Sequence, residues 1–198
     1  MGFWLAAIVC TLALLSGCAD KKVPTEPFVA TDVTGADFAR DFRLVDHHGK
    51  TRVLADFKGK AVLMFFGYTH CPDVCLTALS GLAMVQKKLG KDAARVQVLF
   101  VTLDPARDTP DKLASFVTYF DKDFLALYGD EATIAGTARE FKVSYAKHDS
   151  GSAAGYLLDH SAGIYGFDSA GHLRVLISHD AELISIVHDV KLLLSEKP

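Results

Sequence analysis

Two runs of the chain are apolar at nearly every position, Ala61-Val62-Leu63-Met64-Phe65-Phe66 and Val96-Gln97-Val98-Leu99-Phe100-Val101. A strand with one wet face alternates, so runs of this kind predict strands covered on both faces, central in a sheet and parallel to each other. Between them Val74, Ala78, Leu82, Val85 and Leu89 recur every three or four residues and Gly90 follows, which predicts a crossover helix over 73–89. Upstream, 42–46 and 51–54 flank His47-His48-Gly49-Lys50 and predict a β-hairpin. Downstream the pattern predicts helices over 110–120 and 132–141, strands over 163–167 and 173–178 joined by Asp168-Ser169-Ala170-Gly171, and a last helix over 181–194. An N-terminal hairpin followed by β-α-β-α and then β-β-α is an α/β, thioredoxin-like order of elements.

The N-terminus reads differently. Residues 3–15 are apolar and run into Leu15-Ser16-Gly17-Cys18, with Asp20-Lys21-Lys22 behind. That length suits a signal-peptide core and is short for a membrane span. The small residues leading into a cysteine resemble a bacterial lipobox, which implies cleavage before Cys18 and lipidation of its thiol. Residues 1–17 hold no Lys or Arg, so an uncleaved N-terminal anchor is the alternative. Both readings tether the domain to a membrane of the bacterial cell envelope, on the periplasmic side. Residues 19–38 carry Pro24 and Pro27 and no apolar period. The expected organisation is therefore a signal peptide over 1–17, an anchored linker over 18–38 and one domain over 39–198, the linker reaching about 25 Å if flexible.

Composition agrees with a single globular unit: 198 residues, 50% apolar, 23% charged and a net charge of −3. No basic stripe offers a track for phosphates, so nucleic-acid binding is excluded as an expectation. Of four cysteines, Cys10 lies in the leader and Cys18 is expected to carry the lipid, which leaves Cys71 and Cys75 for chemistry.

Those two stand where the first central strand ends and the helix begins, in Phe66-Gly67-Tyr68-Thr69-His70-Cys71-Pro72-Asp73-Val74-Cys75. Unpaired N–H groups and the positive end of the helix dipole favour thiolate there. Pro72 suits a first helical turn, where a missing N–H costs nothing. Dithiol oxidoreductases of this fold usually carry two residues between the cysteines; here there are three. Cβ atoms at i and i+4 of a helix are about 5–6 Å apart, wider than a relaxed disulfide prefers. A bridging metal tolerates that separation better, although an irregular first turn leaves a disulfide open. Two thiolates select Cu(I) first and Zn(II) next, and an imidazole completes a copper site.

Eight histidines are available. His70 adjoins Cys71 and is expected to point away; His47 and His48 are turn residues; His148, His172, His179 and His188 stand in polar or mixed surroundings. His160, in Tyr156-Leu157-Leu158-Asp159-His160-Ser161, precedes a strand whose leading loop passes the first helix's N-terminus in a thioredoxin-like fold. It is the candidate third ligand, with Asp159 holding the loop.

At this point the chain resembles the Sco/SenC copper-binding proteins of cytochrome c oxidase assembly. The resemblance rests on Gly67-Tyr68-Thr69 leading into Cys71-Pro72-Asp73-Val74-Cys75, on Val101-Thr102-Leu103-Asp104-Pro105 with Arg107-Asp108-Thr109-Pro110, and on Asp159-His160-Ser161. It covers about 38–195 and implies a thioredoxin-like fold with copper, Cu(I) or Cu(II), held by Cys71, Cys75 and His160. It further implies work on the copper A centre of oxidase subunit II, either as a metallochaperone or as a thiol-disulfide oxidoreductase acting on that site's cysteines through Cys71 and Cys75, and possible contact with other periplasmic copper chaperones. The second motif has a structural reading of its own, Thr109 as N-cap and Pro110 at N1, and is assigned no ligand. Leu76 stands where the family usually has proline, which bears on the rigidity of the helix start. The segment 142–155 is expected to be a mobile loop able to close on metal.

Overall fold

The apolar runs form the middle of a mixed sheet. In the computed structural model, which describes residues 27–152 and 155–195, strands β4 (Ala61–Gly67) and β5 (Val96–Thr102) are buried at every position and pair in parallel from Ala61↔Val96 to Gly67↔Thr102. Helix α1 (Val74–Leu89) makes the crossover between them. The hairpin is β2 (Arg43–Asp46) with β3 (Thr51–Val53). The wholly buried Asp46 carboxylate shapes its turn, accepting from the N–H groups of His48 and Lys50 and from Arg52 Nε. Helices α2 (Pro110–Phe120), α3 (Glu131–Glu140) and α4 (Leu183–Ser195) and strands β9 (Ile164–Phe167) and β10 (Leu173–Ile177) follow the expected order, with ends shifted by one or two residues.

Four strands were not expected. Strand β6 (Leu125–Tyr128) pairs in parallel with β5 and carries the hairpin on its other side. Strand β1 (Thr31–Asp32) pairs with β10, completing the order β1-β10-β9-β4-β5-β6-β2-β3. Val29 and Ala30, in the stretch read as linker, donate their N–H groups at 2.8 Å to the buried Asp189 carboxylate of α4. The last difference is a correction: most of 142–155, expected as a loop, is strand β7 (Tyr145–Ser152), which pairs antiparallel with β8 (Gly155–His160) in a ribbon separate from the main sheet. Its end is closed by Ser161 N donating to Ser144 O at 2.9 Å.

Helix α1 packs against α4 and α2, while Phe66 and Tyr165 meet Phe141, just beyond α3, with ring centroids 5.2 and 5.4 Å away. The end of β4 is thus fixed by core, while the start of α1 buries Cys75 and leaves Pro72, Asp73 and Leu76 exposed. Cys10, Cys18 and the expected signal peptide lie outside the described residues. Among the described residues no helix is long and apolar enough to cross a membrane.

Candidate metal centre

Strand β4 ends at Gly67, and the next eight residues carry the chain to Cys75. Tyr68, 1% exposed, donates nothing to solvent: its hydroxyl accepts from Leu158 N of β8 at 3.2 Å. Cys71 lies in a turn whose N–H donates to Tyr68 O at 3.2 Å, before the helix rather than on it. Helix α1 begins at Val74, between the thiols as expected. Pro72, however, precedes the N-cap residue Asp73 instead of occupying the first turn, and Asp73 makes no side-chain cap. The Cys71 sulfur takes that place, accepting from Cys75 N at 3.4 Å. Because Cys71 precedes the helix, the i, i+4 helical spacing does not govern this pair.

His160 closes the group from β8. Its Nε2 lies 3.6 Å from Cys75 Sγ, and the ligand atoms of Cys71, Cys75 and His160 all fall within 4.8 Å of one another. The other ring nitrogen, Nδ1, is 3.0 Å from Ser161 O. A carbonyl only accepts, so Nδ1 carries the proton and Nε2 is the nitrogen turned to the sulfurs, an arrangement that metal-binding histidines share. Phe65 and Tyr68 meet the imidazole edge-on at 6.1 and 6.0 Å.

The electrostatics of the two thiols are opposite. Cys71 is brought down to about 4, first by the Cys75 thiol donating to it, then by His160 and the N–H groups of Asp73 and Cys75, against burial. Cys75, wholly buried, is pushed up by that same hydrogen bond to Cys71, by burial and by the Cys71 charge. At neutral pH the pair is one thiolate and one thiol. Burial pushes His160 down, but its hydrogen bonds to Cys71 and Ser161 and the Cys71 charge outweigh this and raise it above its ordinary value.

Two buried carboxylates from the β5–α2 loop, Asp104 and Asp108, tie the halves of the site together. Asp108 accepts from Thr69 N at 3.0 Å, Thr69 Oγ1 at 2.6 Å and Thr102 Oγ1 at 2.6 Å, fixing the cysteine loop. Asp104 accepts from Tyr156 Oη at 2.6 Å and Arg107 Nε at 2.5 Å, fixing β8. Arg107 also donates to Tyr156 O at 2.9 Å and stacks 3.7 Å over the Tyr156 ring. Thr109 does cap α2, its Oγ1 accepting from Lys112 N, with Pro110 at the first helical position. The motif is thus both a helix start and a brace for the site. The sequence offered no signal for the brace beyond membership of the motif.

His70 sits beside Thr69 Oγ1 at 3.1 Å and Asp108 at 3.7 Å, outside the cluster. His47, His48, His172, His179 and His188 are likewise not in it. Asp159 does not reach the ring of its neighbour; its carboxylate stands 3.1 Å from His148 Nδ1. Leu76 is 40% exposed beside the site.

Two thiol sulfurs and an imidazole nitrogen make a soft donor set, suited to Cu(I) and, less strongly, to Zn(II). The family model described as SCO1/SenC matches residues 30–195. Among curated proteins, the mitochondrial SCO2 homolog of Bos taurus is 41% identical over 127 residues, 63% of this chain and 48% of that protein. An SCO2-like protein of Rickettsia felis is 36% identical over 132 residues, 66% of this chain and 64% of that protein. The chain spans about half the length of the mitochondrial relatives it matches. Among solved structures, Bradyrhizobium japonicum ScoI with copper bound superposes with a TM-score of 0.70 at 36% identity, covering 76% of this chain and 96% of that one. Apo Sco1 from Thermus thermophilus superposes with a TM-score of 0.76 at 34% identity, covering 86% and 99%.

Proposed function

This chain belongs to the SCO1/SenC family, and from that premise we propose that it is a copper metallochaperone that holds the ion on Cys71, Cys75 and His160 and serves assembly of the copper A centre of cytochrome c oxidase subunit II. The observation that carries the reading is the convergence of two sulfurs and Nε2 of His160 within 4.8 Å, brought from α1 and β8 by a braced loop and ribbon. Copper is cargo here. Cys71 is already a thiolate and Cys75 gives up its proton as the ion binds, so loading releases a proton to water. Few ligands and a half-buried imidazole keep the ion open to exchange with an acceptor's thiolates. The lipobox-like run ending at Cys18 supports a lipid tether outside the cytoplasm, with the folded domain already engaged at Val29 and Ala30 through Asp189.

Titration of the reduced protein with Cu(I), beside Cys71→Ser, Cys75→Ser and His160→Ala, tests the ligand set. One tight ion in the wild type, weakened in all three variants, supports it; uptake untouched by them contradicts it.

The unequal thiols favour a second reading, reduction of a partner's disulfide. The Cys71 thiolate attacks one partner sulfur and releases the other as a thiolate. Cys75 then loses its proton and attacks Cys71, so the partner leaves with two thiols and a Cys71–Cys75 disulfide remains. His160→Ala separates the readings, because it removes a copper ligand and leaves both thiols.

A further inference from the structure

Cys71, Cys75 and His160 line or lie behind one cavity of about 220 Å³, whose wall also includes Pro72, Leu157, Asp159 and His148. Cys75 is wholly buried and Cys71 is 8% exposed. Cys71 lines the cavity and Cys75 does not, so a more exposed side chain on the same wall is better placed than either sulfur to make the first exchange with a bulky donor. His148 has that position. Its side chain is 45% exposed, and the Asp159 carboxylate 3.1 Å from Nδ1 favours the tautomer with its proton there. Nε2 is left with its lone pair and, among the described residues, without a hydrogen bond. This repeats the arrangement at His160, where Ser161 O takes the Nδ1 proton and Nε2 is presented. A carboxylate behind an imidazole is a recurrent support for a metal-binding histidine.

The ribbon register separates the two imidazoles. His148 faces Leu157 across the ladder, which puts it on the face of Asp159, while His160 pairs with Tyr145 on the other face. His148 nevertheless lines the same cavity and stands outside the cluster of three ligands.

We infer that His148 is a transient copper ligand, the first to receive the ion from a donor and the last to hold it on the way out. The inference rests on the reading of Cys71, Cys75 and His160 as the resident site. On entry, a bond from Cu(I) to the donor breaks as the bond to His148 Nε2 forms. The Cys71 thiolate then displaces the imidazole of His148, Cys75 binds after releasing its proton to water, and His160 binds through Nε2. The ion remains Cu(I) and no electron moves. An imidazole nitrogen suits the role because it binds Cu(I) yet yields to thiolate.

The test mixes the full reduced chain, anaerobically, with Cu(I) held by the chromophoric chelator bicinchoninate and follows the loss of chelator colour by stopped flow. His148→Ala and His148→Gln are compared with the wild type, all with one unfolding temperature as a check on folding. Loading is expected to slow by about tenfold, with stoichiometry and the competition equilibrium unchanged and release to a stronger chelator slowed by the same factor. Unaltered rates in both variants overturn the relay while the resident site stands. A fall in equilibrium affinity matching the fall in rate also overturns it, since His148 is then a resident ligand. A wild type that takes no copper removes the relay together with the resident site.

Discussion

The sulfur of Cys75 fills the space that a side chain on Gly67 would need: a Cβ built at Gly67 lies 2.6 Å from Cys75 Sγ and 2.9 Å from Cε2 of the buried Phe100 ring. The end of β4 is therefore shaped to receive a ligand, and glycine is required there for lack of a Cβ, not for an unusual backbone. Gly67→Ala is expected to cost about 1–3 kcal/mol of stability by overpacking. It also moves the Cys75 sulfur, so copper affinity falls more than a comparable destabilisation elsewhere in the core would cause. Chemical unfolding and a chelator competition measure the two effects; a variant with wild-type affinity contradicts the placement of Cys75 in the site.

The brace on β8 gives a second prediction. Tyr156→Phe keeps the ring under Arg107 and removes only the hydroxyl that Asp104 accepts. Leaving a buried carboxylate one donor short costs about 1–3 kcal/mol, and His160 loses part of its support. The expectation is a copper affinity lowered by about tenfold, with a nitrogen ligand that is heterogeneous by spectroscopy and a Cys71 titration like that of the wild type. Equal losses in the copper spectra of Tyr156→Phe and Cys75→Ser would show instead that the whole site had collapsed.

The unequal thiols predict a pH profile. In the metal-free reduced protein, absorbance near 240 nm should report one thiolate that persists far into acid, with a midpoint at about 4, and a second thiol that stays protonated through neutral pH. The sign for stability follows. The Cys71 group is more acidic folded than unfolded, so its contribution is complete above the ordinary thiol value of 9.0 and is lost as pH falls toward about 4. Cys71→Ser should flatten that part of the curve. Alkylation should modify Cys71 first.

Leu76 replaces the usual family proline at the third residue of α1. The first four N–H groups of a helix lack partners within it, so a proline there removes no intrahelical bond. Leu76→Pro is expected to leave the unfolding temperature and copper affinity near wild type, which thermal melting and competition check. A severe loss would place a structural load on Leu76 that its 40% exposure does not suggest.

How much of this was legible in the sequence depends on whether burial imposes a period. Strands β4 and β5 are covered on both faces and read as unbroken apolar runs; α1 shows one apolar stripe. Strand β6 escaped because Leu125-Ala126-Leu127-Tyr128 is too short to establish a pattern. The β7–β8 ribbon escaped for another reason. Lys147, His148 and Asp149 are exposed on a ribbon outside the main sheet, so no buried face forced alternation. The cysteines and His160 were legible as chemistry, from residue type, position in the fold and family motif. Asp104 and Asp108 were not, because a buried carboxylate is explained by partners far along the chain, such as Tyr156 and Thr69, and the local sequence reads only as a turn before a capped helix.

The central claim is the identity of the ligands, and X-ray absorption at the copper edge of the singly loaded, reduced protein measures it directly. Two sulfurs and one imidazole nitrogen are expected, with the nitrogen lost in His160→Ala and one sulfur lost in Cys75→Ser. A shell of nitrogen and oxygen alone, or one unchanged by both substitutions, would contradict the account.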